Sequence, residues 1–484
     1  MILFNETHSL KRLASVFFLV TFLLSALSIE VSGFVSVQTR DSSLVAVRRS
    51  DRASRDSQRA LTKLPAQEHL RRASVYLVNR AFDEAREHWF AYLKHYPNEP
   101  GVPEALFGIG RSYFQSRKYS DALEYYSRVA RTYPSSKEGR EGLNFSGSAL
   151  LRLGRPAEAV DRYIEYIQRY PNGERIESAH LNVIDSLREA GKPADAADWV
   201  TRATQRFAGT PTETNALFAA LRLYVAESDW ANAIPMADEL LKRQSSKGVL
   251  TTWSEVAYLR AYSLEQSGDR SQALAAYRSI PDAANSYYGW LATERLLAIG
   301  GAGVKGVVDQ RLATVSRSIA AAAPSYPAPH RAAILRATKP RKIDPRFVLA
   351  IMRQESVFKP SAKSPAGARG LLQLTIDAAQ KYAHAAGVNP LRETQLYEPE
   401  TSIVIGSEYL AQLTSMFPRI LEPVAASYNG GEDNVARWVK RAKHQDPGVL
   451  TAEIGFEETK DYVQKVMSNY RAYRHLYTAE LVRR

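Results

Sequence analysis

The sequence predicts a mainly α-helical protein in which a solenoid of helical hairpins precedes a separate C-terminal domain. Two observations predict this arrangement. A repeat with a period of 37 residues occupies the middle of the chain, and a close series of short motifs occupies residues 339–484. The 484 residues are 45% hydrophobic and 24% charged, values of ordinary globular proteins that exclude a disordered or fibrous chain.

The composition also excludes several kinds of site. The chain has no cysteine, and this excludes a disulfide framework, a zinc ribbon and a thiol nucleophile. Its 64 Lys and Arg residues against 51 Asp and Glu residues give a net charge of +13. This charge favours a polyanionic partner, which could be nucleic acid, anionic lipid or an acidic cell-wall polymer, and does not choose among the three.

Residues 1–35 are predicted to form a signal peptide or an N-terminal membrane anchor. Lys11 and Arg12 precede an uncharged run from Leu13 to Ile29, whose 17 residues lie at the lower limit of a bilayer-spanning helix. The small residues that follow fit a cleavage site imperfectly, so cleavage and retention in the membrane both stay open. In either case we expect the bulk of the chain in the periplasm or cell envelope.

Residues 36–66 are predicted to form a basic linker. Their Arg and Lys side chains alternate with Ser and Asp and show no sustained apolar period. A solvated tether and a contact with anionic lipid headgroups both fit this composition, and we favour the tether. Membrane association would then depend on the N-terminal segment.

Residues 67–280 contain the repeat. Three sets of equivalent residues, which we call registers, each recur every 37 residues along it. A small residue allows close approach of two helices, and a proline after an aromatic residue ends the second helix. Each unit is therefore a helical pair, and the units resemble tetratricopeptide repeats, whose basic period is about 34 residues. The registers are Ala85, Ala122, Ala159, Ala196 and Ala233; Tyr96, Tyr133, Tyr170 and Phe207; and Phe82, Tyr119, Pro156, Pro193 and Trp230.

The array predicted for residues 67–280 is a solenoid whose concave side usually binds a partner. We expect either a substrate-guiding surface, a surface for cell-wall or envelope proteins, or a spacer without a ligand of its own. The tyrosines at helical spacing are interpreted as packing residues rather than as a carbohydrate-binding stripe. They are Tyr76, Tyr113, Tyr125, Tyr126, Tyr163 and Tyr166. Residues 281–338, which end in a Pro-rich joint, are predicted to form linker helices.

One acidic residue stands out in the C-terminal region. Asp344 and Pro345 predict the start of a helix, since Asp caps a helix and Pro fits its first turn. Glu355 falls in the last turn, four residues after Ile351, and continues the apolar stripe of that helix. Burial and the helix dipole both disfavour its charge, so a raised pKa is predicted. A carboxyl group that keeps its proton near neutral pH can act as a general acid. The alternative is an ordinary solvated glutamate.

The motifs after Glu355 identify a family by resemblance. Their order and spacing resemble the catalytic domain of the soluble lytic murein transglycosylases, a lysozyme-like (α+β, mostly helical) fold, over residues 339–477. The tetratricopeptide-like array in front resembles the helical superstructure of that family. We therefore expect a lysozyme-like transglycosylase domain over residues 339–484. The motifs are residues 355–358, Ser364, residues 367–374, residues 405–410, residues 425–431 and residues 456–463.

The resemblance implies a role for each matched residue. Glu355 would be the single catalytic acid and base, and Tyr428 would donate a hydrogen bond to it. The residues implied to bind the substrate are Ser364, Gln373, Tyr428, Asn429 and Glu458. One departure concerns Leu372, Thr375 and Ile376, which stand where the family usually has Met, Met and Pro; Leu for Met is a tolerated exchange, whereas Thr375 alters one wall of the groove. It puts the exact sugar preference in doubt and leaves the chemistry unchanged.

The implied reaction is the cleavage of peptidoglycan between N-acetylmuramic acid and N-acetylglucosamine, with closure of a 1,6-anhydro ring. Most glycosidases use two carboxyl groups, whereas the matched positions near Glu355 provide one. The resemblance implies no cofactor and no metal, and the sequence contains no His-Glu-x-x-His pair and no recognised nucleic-acid motif. Two alternatives stay open: a hydrolytic muramidase and an inactive peptidoglycan-binding scaffold.

Overall fold

The structure is a computed structural model that describes residues 37–243 and 246–484. Within these residues it contains 23 α-helices and no β-strand, which confirms the prediction of a mainly α-helical chain. None of the described helices combines the length and the apolar run that crossing a bilayer demands. The predicted signal peptide or anchor, residues 1–35, lies outside the described residues.

The first helix corrects part of the predicted basic linker. Helix α1 spans Val37–Ala53, where an irregular tether is expected from the sequence. Leu44, Val47 and Asp51 are buried, and Asp51 accepts hydrogen bonds from Arg72 and Tyr76 of the next helix. A helix forms here because its inner face combines two apolar side chains with a charge that is paired inside the protein.

The repeat array consists of helices that pack consecutively along the chain. The alanines of the first register are all fully buried, and Ala273 in a sixth unit is buried as well. Of the tyrosines interpreted as packing residues, Tyr76, Tyr126, Tyr163 and Tyr166 are at most 2% exposed. The helices are α2 (Ala66–Val78), α3 (Phe82–His95), α4 (Val102–Gln115), α5 (Tyr119–Thr132), α6 (Lys137–Arg152), α7 (Pro156–Arg169), α8 (Ile176–Glu189), α9 (Pro193–Arg206), α10 (Pro211–Ala226), α11 (Trp230–Leu241), α12 (Trp253–Gln266) and α13 (Arg270–Ser279).

Three helices connect the array to the C-terminal region: α14 (Tyr287–Ile299), α15 (Lys305–Ala321) and α16 (Arg331–Thr338). Two adjacent tyrosines of α14 contact both sides. The hydroxyl of Tyr288 donates to Glu255 of the array at 3.0 Å, and the hydroxyl of Tyr287 lies 3.1 Å from a carboxylate oxygen of Glu422. Both side chains are buried, so this connection is a packed part of the protein.

The C-terminal region is built around one buried helix, α17 (Pro345–Ser356), which packs against the long last helix. Residues 347–352 of α17 are all at most 1% exposed. The β component of the predicted fold is limited to isolated bridges, which join Arg369 to Lys363 and to Leu374 and join Tyr477 to Arg483. The remaining helices are α18 (Ile376–Ala383), α19 (Pro399–Met416), α20 (Leu421–Gly430), α21 (Glu432–Ala442), α22 (Pro447–Ala452) and α23 (Glu457–Leu476).

The array and the C-terminal region meet along an extended seam. Ion pairs cross the seam from the first repeats as well as from the last ones. They include Arg80 with Asp377, Arg117 with Glu432, Arg188 with Glu453, and Glu255 with Lys460. The array therefore contacts the C-terminal region through its first repeats as well as through its last ones.

Candidate active site

Glu355 lies at the C-terminal end of α17 and is half-buried. The cap predicted at the other end of this helix is present, since the Asp344 carboxylate accepts from the Arg346 amide at 2.9 Å. Burial raises the pKa of Glu355 from its usual 4.5 to about 7; a hydrogen bond from Tyr462 opposes this rise, and the nearby charge of Glu458 adds to it. The direction agrees with the prediction from sequence, and burial is the main cause. Glu355 is therefore suited to donate a proton near neutral pH.

The hydrogen bond to Glu355 comes from a residue that the sequence analysis did not single out. Tyr462, buried on α23, donates from its hydroxyl to Oε1 of Glu355 at 2.7 Å. The role implied for Tyr428 is corrected here, because the Tyr428 hydroxyl donates instead to the Leu372 carbonyl at 2.7 Å. A signal for Tyr462 was present in the sequence. It lies within the family-like segment 456–463 and four residues after Glu458, hence on the same face of a helix.

Tyr428 nevertheless lies beside the acid. Burial and then the charge of Glu355 hold the pKa of the Tyr428 hydroxyl well above its usual 10. Its ring packs on Tyr409 at 5.2 Å between centroids, and Tyr409 stacks on Tyr382 at 4.8 Å. Tyr428 thus connects α20 to the segment that follows α17 and forms part of the wall around Glu355.

The segment directly after Glu355 has an unusual backbone. Val357 and Phe358 adopt φ values of 47° and 61°, in the left-handed region that a β-branched residue such as Val rarely enters. The Ser356 hydroxyl donates to the Leu371 carbonyl at 2.8 Å, which fixes the helix end to the following loop. Val357 is left 64% exposed immediately beside the acid. Strained backbone of this kind is commonly held in place at functional sites.

Ser364 and Gln373 brace the loop after α17. The Ser364 hydroxyl accepts from the Ala368 amide at 3.1 Å. The side-chain amide of Gln373 donates to the carbonyls of Ala362 and Gly370 at 3.0 and 2.9 Å. Gly370 has φ of 77°, and a Cβ there would lie 1.9 Å from a backbone oxygen, so only glycine fits. The sugar contacts implied for Ser364 and Gln373 stay predictions, as does the effect of Thr375, which precedes α18.

Asn429 and Glu458 lie where α20 ends and α23 begins. Asn429 is exposed, and its side-chain oxygen accepts from the Thr459 hydroxyl at 2.6 Å. Glu458 is exposed in the first turn of α23, and its charge is felt by Glu355. The structure thus brings Glu355, Tyr428, Tyr462 and Glu458 together, with Asn429 at the edge of this group.

Comparison with known proteins identifies two kinds of domain in the chain. The family model described as "Transglycosylase SLT domain" matches residues 332–450, and the model described as "Tetratricopeptide repeat" matches residues 70–137 and 146–211. These matches confirm both resemblances drawn from the sequence motifs.

Two curated relatives match the C-terminal region. A putative soluble lytic murein transglycosylase of Haemophilus influenzae is 36% identical over 127 residues, which are 26% of this chain and 21% of the relative. The soluble lytic murein transglycosylase of Salmonella typhimurium is 34% identical over 152 residues, 31% of this chain and 24% of the relative. The match therefore spans less than a quarter of the length of either relative.

A solved structure is similar in fold over most of the chain. The X-ray structure of an inactive mutant of lytic transglycosylase Slt from Pseudomonas aeruginosa matches with a TM-score of 0.51. The match covers 90% of this chain and 86% of that chain at 19% sequence identity. At this identity the likeness shows the fold alone, and the fold includes the array as well as the C-terminal region.

Proposed function

We propose that this chain, which carries a transglycosylase SLT domain behind tetratricopeptide repeats, is a lytic transglycosylase of peptidoglycan. It cleaves the bond between N-acetylmuramic acid and N-acetylglucosamine and closes a 1,6-anhydro ring on the muramic acid. The observation that carries the proposal is Glu355, whose half-buried carboxyl group has a pKa of about 7 and accepts a hydrogen bond from a tyrosine hydroxyl on one of its oxygens.

Glu355 acts first as a general acid. Its neutral carboxyl group donates a proton to the glycosidic oxygen, and the bond to the anomeric carbon breaks. The Tyr462 hydroxyl donates to Oε1 and stabilises the carboxylate that this step creates. The substrate's own N-acetyl carbonyl stabilises the positive charge at the anomeric carbon.

Glu355 acts next as a base. The carboxylate takes the proton from the 6-hydroxyl of the muramic acid, and the oxygen of that hydroxyl bonds to the anomeric carbon. One C–O bond breaks and one forms, the carboxyl group recovers its proton, and no water is consumed. This sequence makes the enzyme a lyase and lets a single carboxyl group complete the reaction.

A hydrolytic muramidase is the second candidate, and Glu458 is the observation that favours it. A hydrolase of this type needs a second carboxylate roughly 5–9 Å from the acid. Glu458 is close enough for its charge to raise the pKa of Glu355. We favour the lyase because Glu458 is exposed to solvent at the helix end. The third candidate is an inactive scaffold. It does not explain the raised pKa of Glu355, which suits a general acid.

Product masses distinguish the three candidates. Intact sacculi are digested with the wild type and with Glu355→Gln, and the masses of the released fragments are measured by mass spectrometry. The lyase yields anhydro products, a hydrolase yields products heavier by one water, and a scaffold releases none. We expect anhydro products from the wild type and a loss of at least about 100-fold in Glu355→Gln, as for removal of a general acid. Equal clearing of sacculi by both proteins would contradict the assignment of Glu355.

The same proposal places the protein in the cell envelope. Its relatives include proteins named membrane-bound lytic murein transglycosylase C, and peptidoglycan is found outside the cytoplasm. We infer that the repeats guide glycan strands toward Glu355 or receive other envelope proteins. Fractionation of cells that express the full chain, with and without residues 1–35, tests the location.

A further inference from the structure

A cavity of about 190 Å³ lies at the seam between the repeat array and the C-terminal region. We call it the seam cavity. Asn182 of α8 and Asn215 and Arg222 of α10 line it on the array side, and Glu457 and Lys460 of α23 line it on the other. Pockets that bury a drug-sized molecule measure roughly 300–1,000 Å³. The seam cavity therefore suits a group the size of one amino-acid residue.

Arg222 is the unusual group in the seam cavity. Its side chain is 10% exposed, and within residues 37–243 and 246–484 its Nε has no hydrogen-bond partner. Its terminal nitrogens lie 3.4 Å from Glu453 and 3.5 Å from Asp185, whereas charge-assisted hydrogen bonds measure about 2.7–2.9 Å. A buried guanidinium whose donors are only partly used favours an anion in the adjoining space.

The acidic side chains that line the seam cavity do not exclude an anion. Asp185 lies within 3.5 Å of three arginines, which together lower its pKa although burial raises it. Glu457 is exposed to solvent at the rim. Asn215 holds the loop around Leu250 through two backbone hydrogen bonds, whereas the half-buried amide of Asn182 lines the cavity. The interior therefore offers donors from Arg222 and Asn182.

The seam cavity lies across α23 from the catalytic acid. Glu458 and Tyr462 of this helix interact with Glu355, whereas Glu457 and Lys460 line the cavity. The separation is therefore about one helix diameter, ~10–12 Å. An extended peptide of three residues spans about 10 Å. A peptide attached to a sugar at Glu355 can reach the seam cavity around the exposed N-terminus of α23.

We propose that the seam cavity binds a carboxylate-bearing residue of the peptide that hangs from the glycan strand. Arg222 and Asn182 donate hydrogen bonds to the carboxylate while the sugar lies at Glu355. This inference rests on the proposed function, because only a peptidoglycan substrate brings such a peptide to this place. It makes the repeat array a direct contributor to substrate recognition.

Two changes at Asn182 test the site by different physical means. Asn182→Asp keeps the size of the side chain and adds a negative charge to the seam cavity, and Asn182→Leu replaces the donor by an apolar group. Asn172→Asp is the matched control, because Asn172 is exposed in the turn before α8 and does not line the cavity. Thermal unfolding verifies that the variants remain folded.

The readout is the ratio of kcat/KM on peptide-bearing glycan strands to kcat/KM on the same strands stripped of peptide by an amidase. We expect this ratio to fall about tenfold in both Asn182 variants and to stay within about twofold of wild type in Asn172→Asp. In a second arm, the peptide released by the amidase is titrated into each protein, and the Asn182 variants should bind it more weakly.

Equal ratios and equal peptide affinities in all four proteins would overturn the seam cavity as a peptide site. Failure of the proposed function looks different: the wild type would then cleave neither kind of strand. In that case the peptide titration still decides whether the cavity binds a carboxylate-bearing peptide.

Discussion

The ionisation of Glu355 decides the pH range in which the site can donate a proton. With a pKa of about 7, the acid form is present below neutral pH and is lost as the pH rises through 7. We therefore expect kcat/KM on glycan strands to decline on the alkaline side near pH 7. The contacts of Glu355 predict how substitutions move this decline.

Tyr462→Phe and Glu458→Gln should move the alkaline limb of the pH profile in opposite directions. The Tyr462 hydrogen bond lowers the pKa of Glu355 and the Glu458 charge raises it. Loss of the first shifts the limb to higher pH, and loss of the second shifts it to lower pH. Tyr428→Phe is the control, because its hydroxyl donates to Leu372. Shifts of the same sign in the first two variants would contradict this account of the site.

The raised pKa also predicts a pH-dependent cost in stability. The folded state holds a proton on Glu355 up to about pH 7, whereas an exposed glutamate loses it near its usual 4.5. The folded chain binds more protons between these values, so its stability falls as the pH rises through this window and stays lower above it.

Glu355→Gln removes that cost because glutamine is neutral at every pH. We expect the variant to exceed the wild type in unfolding free energy by about 1–3 kcal/mol at pH 8 and to match it at pH 4. Denaturant unfolding at the two pH values measures the difference. A difference that does not change with pH would mean that Glu355 is ionised in water as any surface glutamate is.

At the level of single helices, the position of an alanine in the repeat decides whether its substitution by a larger residue destabilises the fold. Ala159 is fully buried between helices, whereas Ala157, two residues earlier on α7, is exposed. Ala159→Leu should overpack the pair and cost about 1–3 kcal/mol, and Ala157→Leu should have little effect. Thermal unfolding compares the two variants. Equal melting temperatures would contradict the helical pairing of the repeat.

The array was predictable because its period fixes both the buried alanine and the end of each helical pair. Helix α1 was missed because its inner face holds only two apolar residues beside Asp51, and a buried charge appears polar in a sequence. The resemblance implies Tyr428 as the hydrogen-bond donor to Glu355, and matching of motifs does not show where a tyrosine hydroxyl points. Only the orientation of α23 brings the Tyr462 hydroxyl to the carboxylate.

Across the whole molecule, the contact between the array and the C-terminal region depends on ion pairs that no sequence pattern predicts. Glu453 is buried and pairs with Arg188 and Arg222 of the array and with Arg441 of its own region. Burial raises the pKa of Glu453, and the arginines outweigh this and lower it to about 2. Arg188 and Glu453 lie 265 positions apart in the chain, so their contact cannot be predicted from the spacing of nearby residues.

Glu453→Gln should destabilise the folded chain far more than an exposed change at the same seam. It leaves buried arginines without their anion, at a cost of about 3–5 kcal/mol. Glu227→Gln removes the partner of Lys443, a partly exposed pair worth about 0–1 kcal/mol. Melting temperatures of the two variants give the comparison, and similar losses would show that the array is not held through Glu453.

Burial keeps a proton on Glu355 near neutral pH, and both the proposed chemistry and its pH dependence rest on this proton. The most direct test is the titration of its side chain by NMR in the full chain labelled at glutamate carboxyl carbons, with Glu355→Gln to identify the signal. We expect one carboxyl signal that titrates near pH 7 in the wild type and is missing in the variant. Titration of Glu355 near pH 4.5 would contradict this expectation.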